Sequence, residues 1–109
     1  MTTFARGQVY WATFDAALGR KRWLVVSNNA RNRNLGDVLV APITTTLKPR
    51  ISSIVELPPS ECVTGSVLCD DILAMYEDDS PELAGALSPK TMRDVDRALT
   101  AALGLRESM

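Results

Sequence analysis

Lys21-Arg22-Trp23-Leu24-Val25-Val26-Ser27-Asn28-Asn29-Ala30-Arg31-Asn32-Arg33-Asn34 opens on two cations, runs through four large apolar residues and closes in amides and arginines. Trp23–Ser27 has the short apolar, aromatic and β-branched composition of a buried strand. After Ala30 no apolar residue occurs until Leu35, so Asn28–Asn34 reads as a short helical turn or an irregular loop. A buried strand with cationic, amide-rich ends suits a site for an anionic polymer. A core strand with solvated ends would carry the same residues.

Outward from this stretch the apolar runs are short and broken by turn residues. Gln8-Val9-Tyr10-Trp11-Ala12-Thr13-Phe14 is a strand with large side chains on both faces, Tyr10 and Phe14 on one and Val9 and Trp11 on the other. The Asp15–Lys21 loop joins it to Trp23–Ser27 as a hairpin. Val38–Ile43 is a third strand, with Pro42 expected at an edge, a bulge or the strand end because it has no N–H to donate. Thr44-Thr45-Thr46 follows, then Lys48-Pro49-Arg50, three hydroxyls beside two cations that fit a phosphate or simply continue a strand. Ile54–Leu57 and Gly65–Asp70 are a fourth and fifth strand, Ile72–Met75 is a further apolar run, and Leu83–Leu87 is a last short strand. Glu77-Asp78-Asp79 reads as a solvated acidic loop. Ser88-Pro89 is a helix start, with Ser as N-cap and Pro at the first helical position. Met92, Val95, Leu99 and Ala102 then recur at spacings of three and four, and Gly104 fits the helix end. The whole is mainly β with α, a small barrel or half-barrel of about six or seven strands with a C-terminal helix packed on it.

The 109 residues suffice for one compact domain, 1–109, with a modest core, and 46% hydrophobic with 23% charged residues is ordinary for a globular protein. No apolar run approaches the roughly 20 residues that span a bilayer, and no basic segment followed by an apolar one marks a signal peptide. A cytoplasmic location is expected. Cys62 and Cys69, with no histidine in the chain, make a poor metal site and read as small buried hydrophobes; no metal or cofactor is expected. The net charge of −1 hides an asymmetry: residues 1–55 hold eight basic and two acidic residues, and residues 56–109 hold four basic and eleven acidic. A basic half of net +6 points to an anionic partner. The missing histidine removes Ser-His-Asp, Cys-His and two-histidine ribonuclease chemistry.

Several segments, in order, resemble the MazF/PemK/Kid family of toxin endoribonucleases from bacterial type II toxin–antitoxin modules. They are Arg6-Gly7-Gln8-Val9-Tyr10; Arg22 before the apolar strand that ends in Ser27, in the place of the family's Arg-Pro-x-Val-Val-Ser; Asn32 a few residues on; Ala41-Pro42-Ile43-Thr44-Thr45; Gly65-Ser66-Val67-Leu68-Cys69-Asp70; and Leu87–Met92 with Val95–Leu99. Trp23 stands where the family's Pro follows its Arg, and the Asp15–Lys21 loop lacks a Glu that some members carry.

The resemblance implies a PemK-type, SH3-like barrel, a homodimer, an antitoxin partner and no membrane association. It also implies metal-independent, sequence-selective cleavage of single-stranded RNA to a 2′,3′-cyclic phosphate and a 5′-hydroxyl, inhibiting translation and growth. Arg22 and Thr44 take the catalytic positions, Arg22 with a fork suited to two phosphate oxygens and Thr44 with a hydroxyl donor. Guanidinium stays protonated, so Arg22 fits charge stabilisation better than base catalysis. The base is left to the RNA or a water. Trp23, Asn28, Arg31, Asn32, Thr45, Lys48 and Asp70 are the candidates for RNA contact, through stacking and hydrogen bonds to unpaired bases. Core packing for Trp23, a local turn bond for Asn32 and a loop-holding role for Asp70 stay open beside this. The alternatives are a CcdB-like toxin of the same fold that binds DNA gyrase and cleaves nothing, and a non-toxic RNA-binding barrel.

Overall fold

The structure is a computed structural model that describes residues 4–105. In chain order it contains β1 (Gln8–Ala12), β2 (Lys21–Val25), α1 (Asn29–Asn34), β3 (Asp37–Thr44), β4 (Ile54–Glu56), β5 (Ser66–Leu68), β6 (Leu73–Tyr76), β7 (Glu82–Ala86) and α2 (Pro89–Leu103). The acidic segment Glu77–Asp79 is a 3₁₀ turn between β6 and β7. All pairings are antiparallel, in the order β4-β5-β3-β2-β1-β7, with β6 also on β3. Among the described residues β4 and β7 end the ladder without pairing to one another, so the expected barrel is an open, half-barrel sheet. No helix among them is long and apolar enough to cross a membrane.

Pro42 lies inside β3, not at its end, opposite Trp23 of β2. The Val26 N–H donates to the Leu39 carbonyl across the same ladder, which makes Trp23–Pro42 a non-hydrogen-bonded pair by alternation. The proline nitrogen therefore faces away from β2. On that side the neighbour of β3 changes from β6, last paired at Val40, to β5, first paired at Ile43. No donor is required there, which is how a central strand tolerates the residue.

Strand alternation gives the sheet two buried faces. Val9, Leu24, Ala41, Ile43 and Val67 form one core with Leu87 and with Met92, Val95 and Ala98 of α2. Tyr10, Ala12, Trp23, Val25, Val38, Val40 and Met75 form the other with Phe4, against which Phe14 packs. Leu24 and Val9 are fully buried, each contributing about 1.5–3 kcal/mol of apolar transfer. The expected helix face holds: Met92 and Val95 are buried, while Leu99 and Ala102 pack against the same core partly exposed.

α2 starts where Ser88 accepts from the Thr91 N–H and ends at Gly104 in the left-handed conformation. Its first turn is also held by Glu61, whose carboxylate accepts from the Ser88 N–H, from Ser88 Oγ at 2.7 Å and from Thr91 Oγ1. Burial raises the Glu61 pKa, but these hydrogen bonds outweigh it and hold the group below the usual carboxylate value of 4.5. A depressed folded pKa contributes stability above the unfolded value, and that stability is lost as pH falls through the folded one. Glu61→Gln is therefore expected to lower the melting temperature at pH 7, and the gap to wild type to close as melts are repeated from about pH 5.5 to about pH 3. A gap independent of pH would show that the carboxylate charge is not what holds the helix.

Only one cysteine follows the expectation of burial. Cys69 is fully buried, and burial with the neighbouring Asp70 charge pushes its thiol up to about 11. Cys62 is exposed, its thiol donating to the Ala86 carbonyl at 3.4 Å. It sits in the Pro58–Gly65 connection, which lies over the edge of β7 where Gly85 leaves no side chain in the way.

Candidate active site

The ends of β2 and β3 meet at one rim of the sheet. A turn in which the Leu18 and Gly19 N–H groups donate to the Asp15 carbonyl brings the chain into β2 at Lys21. β3 arrives from the other direction and ends at Thr44, where the Thr46 N–H donates to Thr44 Oγ1 at 3.1 Å. Three open clefts of about 580, 460 and 270 Å³ adjoin here, and Thr44 and Thr46 line all of them. Arg22 and Thr44 both line the 460 Å³ cleft, with Thr45 and Thr64.

Arg22 is directly opposite Trp11 of β1, which is opposite Glu82 of β7, so the three form one cross-strand row on one face. The Arg22 guanidinium carbon is 5.8 Å from the Trp11 ring centroid, and its Nη1 donates to the Thr64 carbonyl at 2.5 Å. Arg20 reaches the same ring at 4.9 Å and is ion-paired with Glu82. Two guanidinium groups thus flank one indole, a polar and aromatic wall of the kind that accepts an unpaired base. Thr64 and Gly65 hold both candidate catalytic residues: the Thr64 carbonyl fixes Arg22, and Gly65, at φ +124°, packs so tightly on Thr44 that a Cβ there would lie 2.5 Å from the Thr44 carbonyl oxygen.

The other expected RNA contacts divide between this rim and elsewhere. Thr45 lines the 460 and 270 Å³ clefts, and Lys48 the 580 and 270 Å³ clefts. Trp23 also lines the 580 Å³ cleft, yet it is only 6% exposed, stacked edge-on to Phe14 at 4.6 Å, with its indole N–H donating to the Ala12 carbonyl. Asn28, Arg31 and Asn32 lie beyond the opposite end of β2, and from Arg22 to Ser27 the strand alone spans roughly 16 Å. There Asn28 caps α1 by accepting from the Arg31 N–H, Arg31 pairs with Asp37 at 2.9 Å, and Asn32 is bonded to Ser27 through both ends of its amide. Asp70 accepts from Ser53 Oγ at 2.6 Å.

Three residues of the rim escaped the sequence. Trp11 reads there as a buried strand residue, Arg20 as the end of a loop and Lys21 as half of a basic pair. The discoverable signal was positional: Trp11 shares its phase with Val9, but lies at the end of β1, where its partners are Arg22 and Glu82.

A family model described as PemK-like, MazF-like toxin of type II toxin-antitoxin system matches residues 5–103. Endoribonuclease MazF4 of Mycobacterium tuberculosis is 43% identical over 100 residues, 92% of each chain. Among solved structures, an endoribonuclease from a mycobacterial species superposes with a TM-score of 0.88 at 39% identity, covering 99% of this chain and 98% of that one. An endoribonuclease in complex with its cognate antitoxin, also mycobacterial, gives 0.86 at 40% identity, covering 96% and 99%. The two strand ends that present Arg22 and Thr44 on one cleft lie within the matched residues 5–103. The chain belongs to the PemK-like, MazF-like toxin family of type II toxin–antitoxin systems.

Proposed function

We propose that the protein, as a single catalytic unit over residues 1–109, is the toxin of a type II module and a sequence-selective endoribonuclease acting on single-stranded RNA in the cytoplasm without a metal cofactor. The observation that carries this reading is that Arg22 and Thr44, from different strands, line one open cleft in a chain of this family. The RNA's 2′-hydroxyl attacks the adjacent phosphorus, the bond to the 5′-oxygen breaks, and a 2′,3′-cyclic phosphate and a 5′-hydroxyl result. The attacking proton passes to water or to a phosphate oxygen, and the 5′-oxygen takes one from solvent. Arg22, with Nη1 fixed by Thr64, keeps its remaining donors for the phosphate, and the Thr44 hydroxyl adds another. Thr45 and Lys48 extend the contact along the strand. Trp23, Asn28, Arg31, Asn32 and Asp70 are engaged in the bonds described above, and any RNA contact from them comes through their remaining donors, acceptors and ring edges.

We infer that the protein acts as a homodimer, as the family resemblance implies, and that a cognate antitoxin silences it; the antitoxin-bound relative supports the second of these. An acidic, disordered segment that folds over the basic rim matches its charge. The relatives' endoribonuclease names do not favour the gyrase-binding alternative. The test is incubation of purified protein with single-stranded RNA in EDTA and analysis of the product ends. Fragments with 2′,3′-cyclic phosphate and 5′-hydroxyl termini are expected. Intact RNA, with growth arrest accompanied by DNA damage, would replace this reading with gyrase poisoning.

A further inference from the structure

Arg22 lies opposite Ile43, so Thr44, one residue further, leaves the sheet in the opposite sense. Continuing the register by one residue puts Lys21 of β2 opposite Thr44, on the same face. Lys21 also lines both the 580 and the 460 Å³ clefts, as do Thr44 and Thr46, whereas Arg20 and Arg22 line only the smaller of the two. The arginines are already engaged, Arg20 by Glu82 and Arg22 by the Thr64 carbonyl. Among the described residues no hydrogen bond or ion pair engages the Lys21 ammonium. A free cation and a hydroxyl with a proton to donate therefore stand together on the ridge between two clefts, one walled by Trp11 and the other by Phe14 and Trp23.

We propose that Lys21 binds the scissile phosphate together with Thr44 on this ridge, with the flanking nucleotides in the clefts on either side. The inference rests on the ribonuclease reading above and adds a catalytic residue to it. A single strand crossing from one cleft to the other puts its linking phosphate over Lys21. The ammonium is a compact charge that approaches non-bridging oxygens without a fixed fork. As the 2′-oxygen forms its bond to phosphorus and the bond to the 5′-oxygen breaks, charge gathers on those oxygens, and Lys21 and Thr44 neutralise it. Arg22, on the other side of the ladder's end, faces the same phosphate from the Trp11 cleft.

The experiment compares wild type, Lys21→Met, Lys21→Arg and Thr44→Ala in single-turnover cleavage of single-stranded RNA in EDTA, after melts establish that each variant is folded. Lys21→Met is expected to lose about 10²–10³-fold in rate, and Lys21→Arg, which keeps the charge, to stay within about tenfold of wild type. Binding of an all-2′-deoxy, non-cleavable oligonucleotide is measured over a range of salt. The slope of log affinity against log salt is expected to fall by about 0.7 in Lys21→Met, one phosphate contact on a single strand. A merely structural lysine would leave that slope unchanged and would make both Lys21 variants equally slow, which overturns the proposal. Wild-type cleavage in Lys21→Met with cleavage lost in Thr44→Ala overturns it while leaving the ribonuclease reading intact. A wild-type protein that cleaves no RNA overturns both.

Discussion

Thr44→Ala and Arg22→Ala are each expected to slow RNA cleavage about 10²–10³-fold, the cost of deleting one preorganised donor to a developing oxyanion. Arg22 brings a guanidinium whose position is fixed by the Thr64 carbonyl and whose plane borders the Trp11 ring. Thr44 brings a hydroxyl whose oxygen is held by the Thr46 N–H, leaving the proton to face the cleft. Neither side chain belongs to the two buried cores, so truncation removes the donor with little loss of packing. Because both act on one phosphate, the double variant is expected to fall short of the product of the two single effects. Single-turnover rates on one defined oligonucleotide measure all three. Undiminished cleavage in both single variants would remove the cleft from the mechanism.

Gly65→Ala is expected to damage both fold and activity. At φ +124° a side chain is strained whatever the space, and here the new Cβ would lie 2.5 Å from the Thr44 carbonyl oxygen and 3.2 Å from the Ile43 methyl. Strain alone costs about 1–3 kcal/mol. Backbone cannot yield as a side-chain tip does, so a total of about 3 kcal/mol or more is expected, with a fall in Tm of about 10 °C or more. Relief requires the Thr64–Gly65 turn to move off the end of β3, which carries the Thr64 carbonyl away from Arg22. Cleavage is therefore expected to drop about 10²-fold even where the variant is fully folded, as displacements near 1 Å do. Gly36→Ala, with open space at its Cβ, is the control and is expected to change neither. Thermal melts and cleavage rates on both variants decide it.

Burial pattern carried most of the fold into the sequence, and backbone pairing carried the remainder out of reach. The apolar runs around Leu24, Val40 and Val67 mark strands because those side chains have nowhere else to go. The start of β2 at Lys21 is set by pairing with Ala12, which leaves no mark on composition. α1 has no buried residue, so its sequence shows no apolar stripe and its helical form comes from the Asn28 cap. The same amides and arginines resemble a ligand-binding loop, since capping and base recognition draw on one set of donors and acceptors. Arg22 and Thr44 stand in recognisable motifs. The phase of Lys21 relative to Thr44 is a property of register between residues 23 positions apart in the chain, and a single sequence does not contain it.

The first strand of the sheet waits for the last. β1 is bordered on its outer side by β7, and the face it shares with β2 and β3 is covered by α2. A ribosome that has delivered Trp11, Arg22 and Thr44 has therefore delivered a rim whose Glu82 partner and helical cover do not yet exist. Pairing between segments so distant in the chain is slow to form, because loop closure precedes any reward from contact. The nascent chain thus lacks the Glu82 anchor of Arg20 and the helical cover of the sheet until residues through α2 have emerged, and the rim takes its final form in one late step.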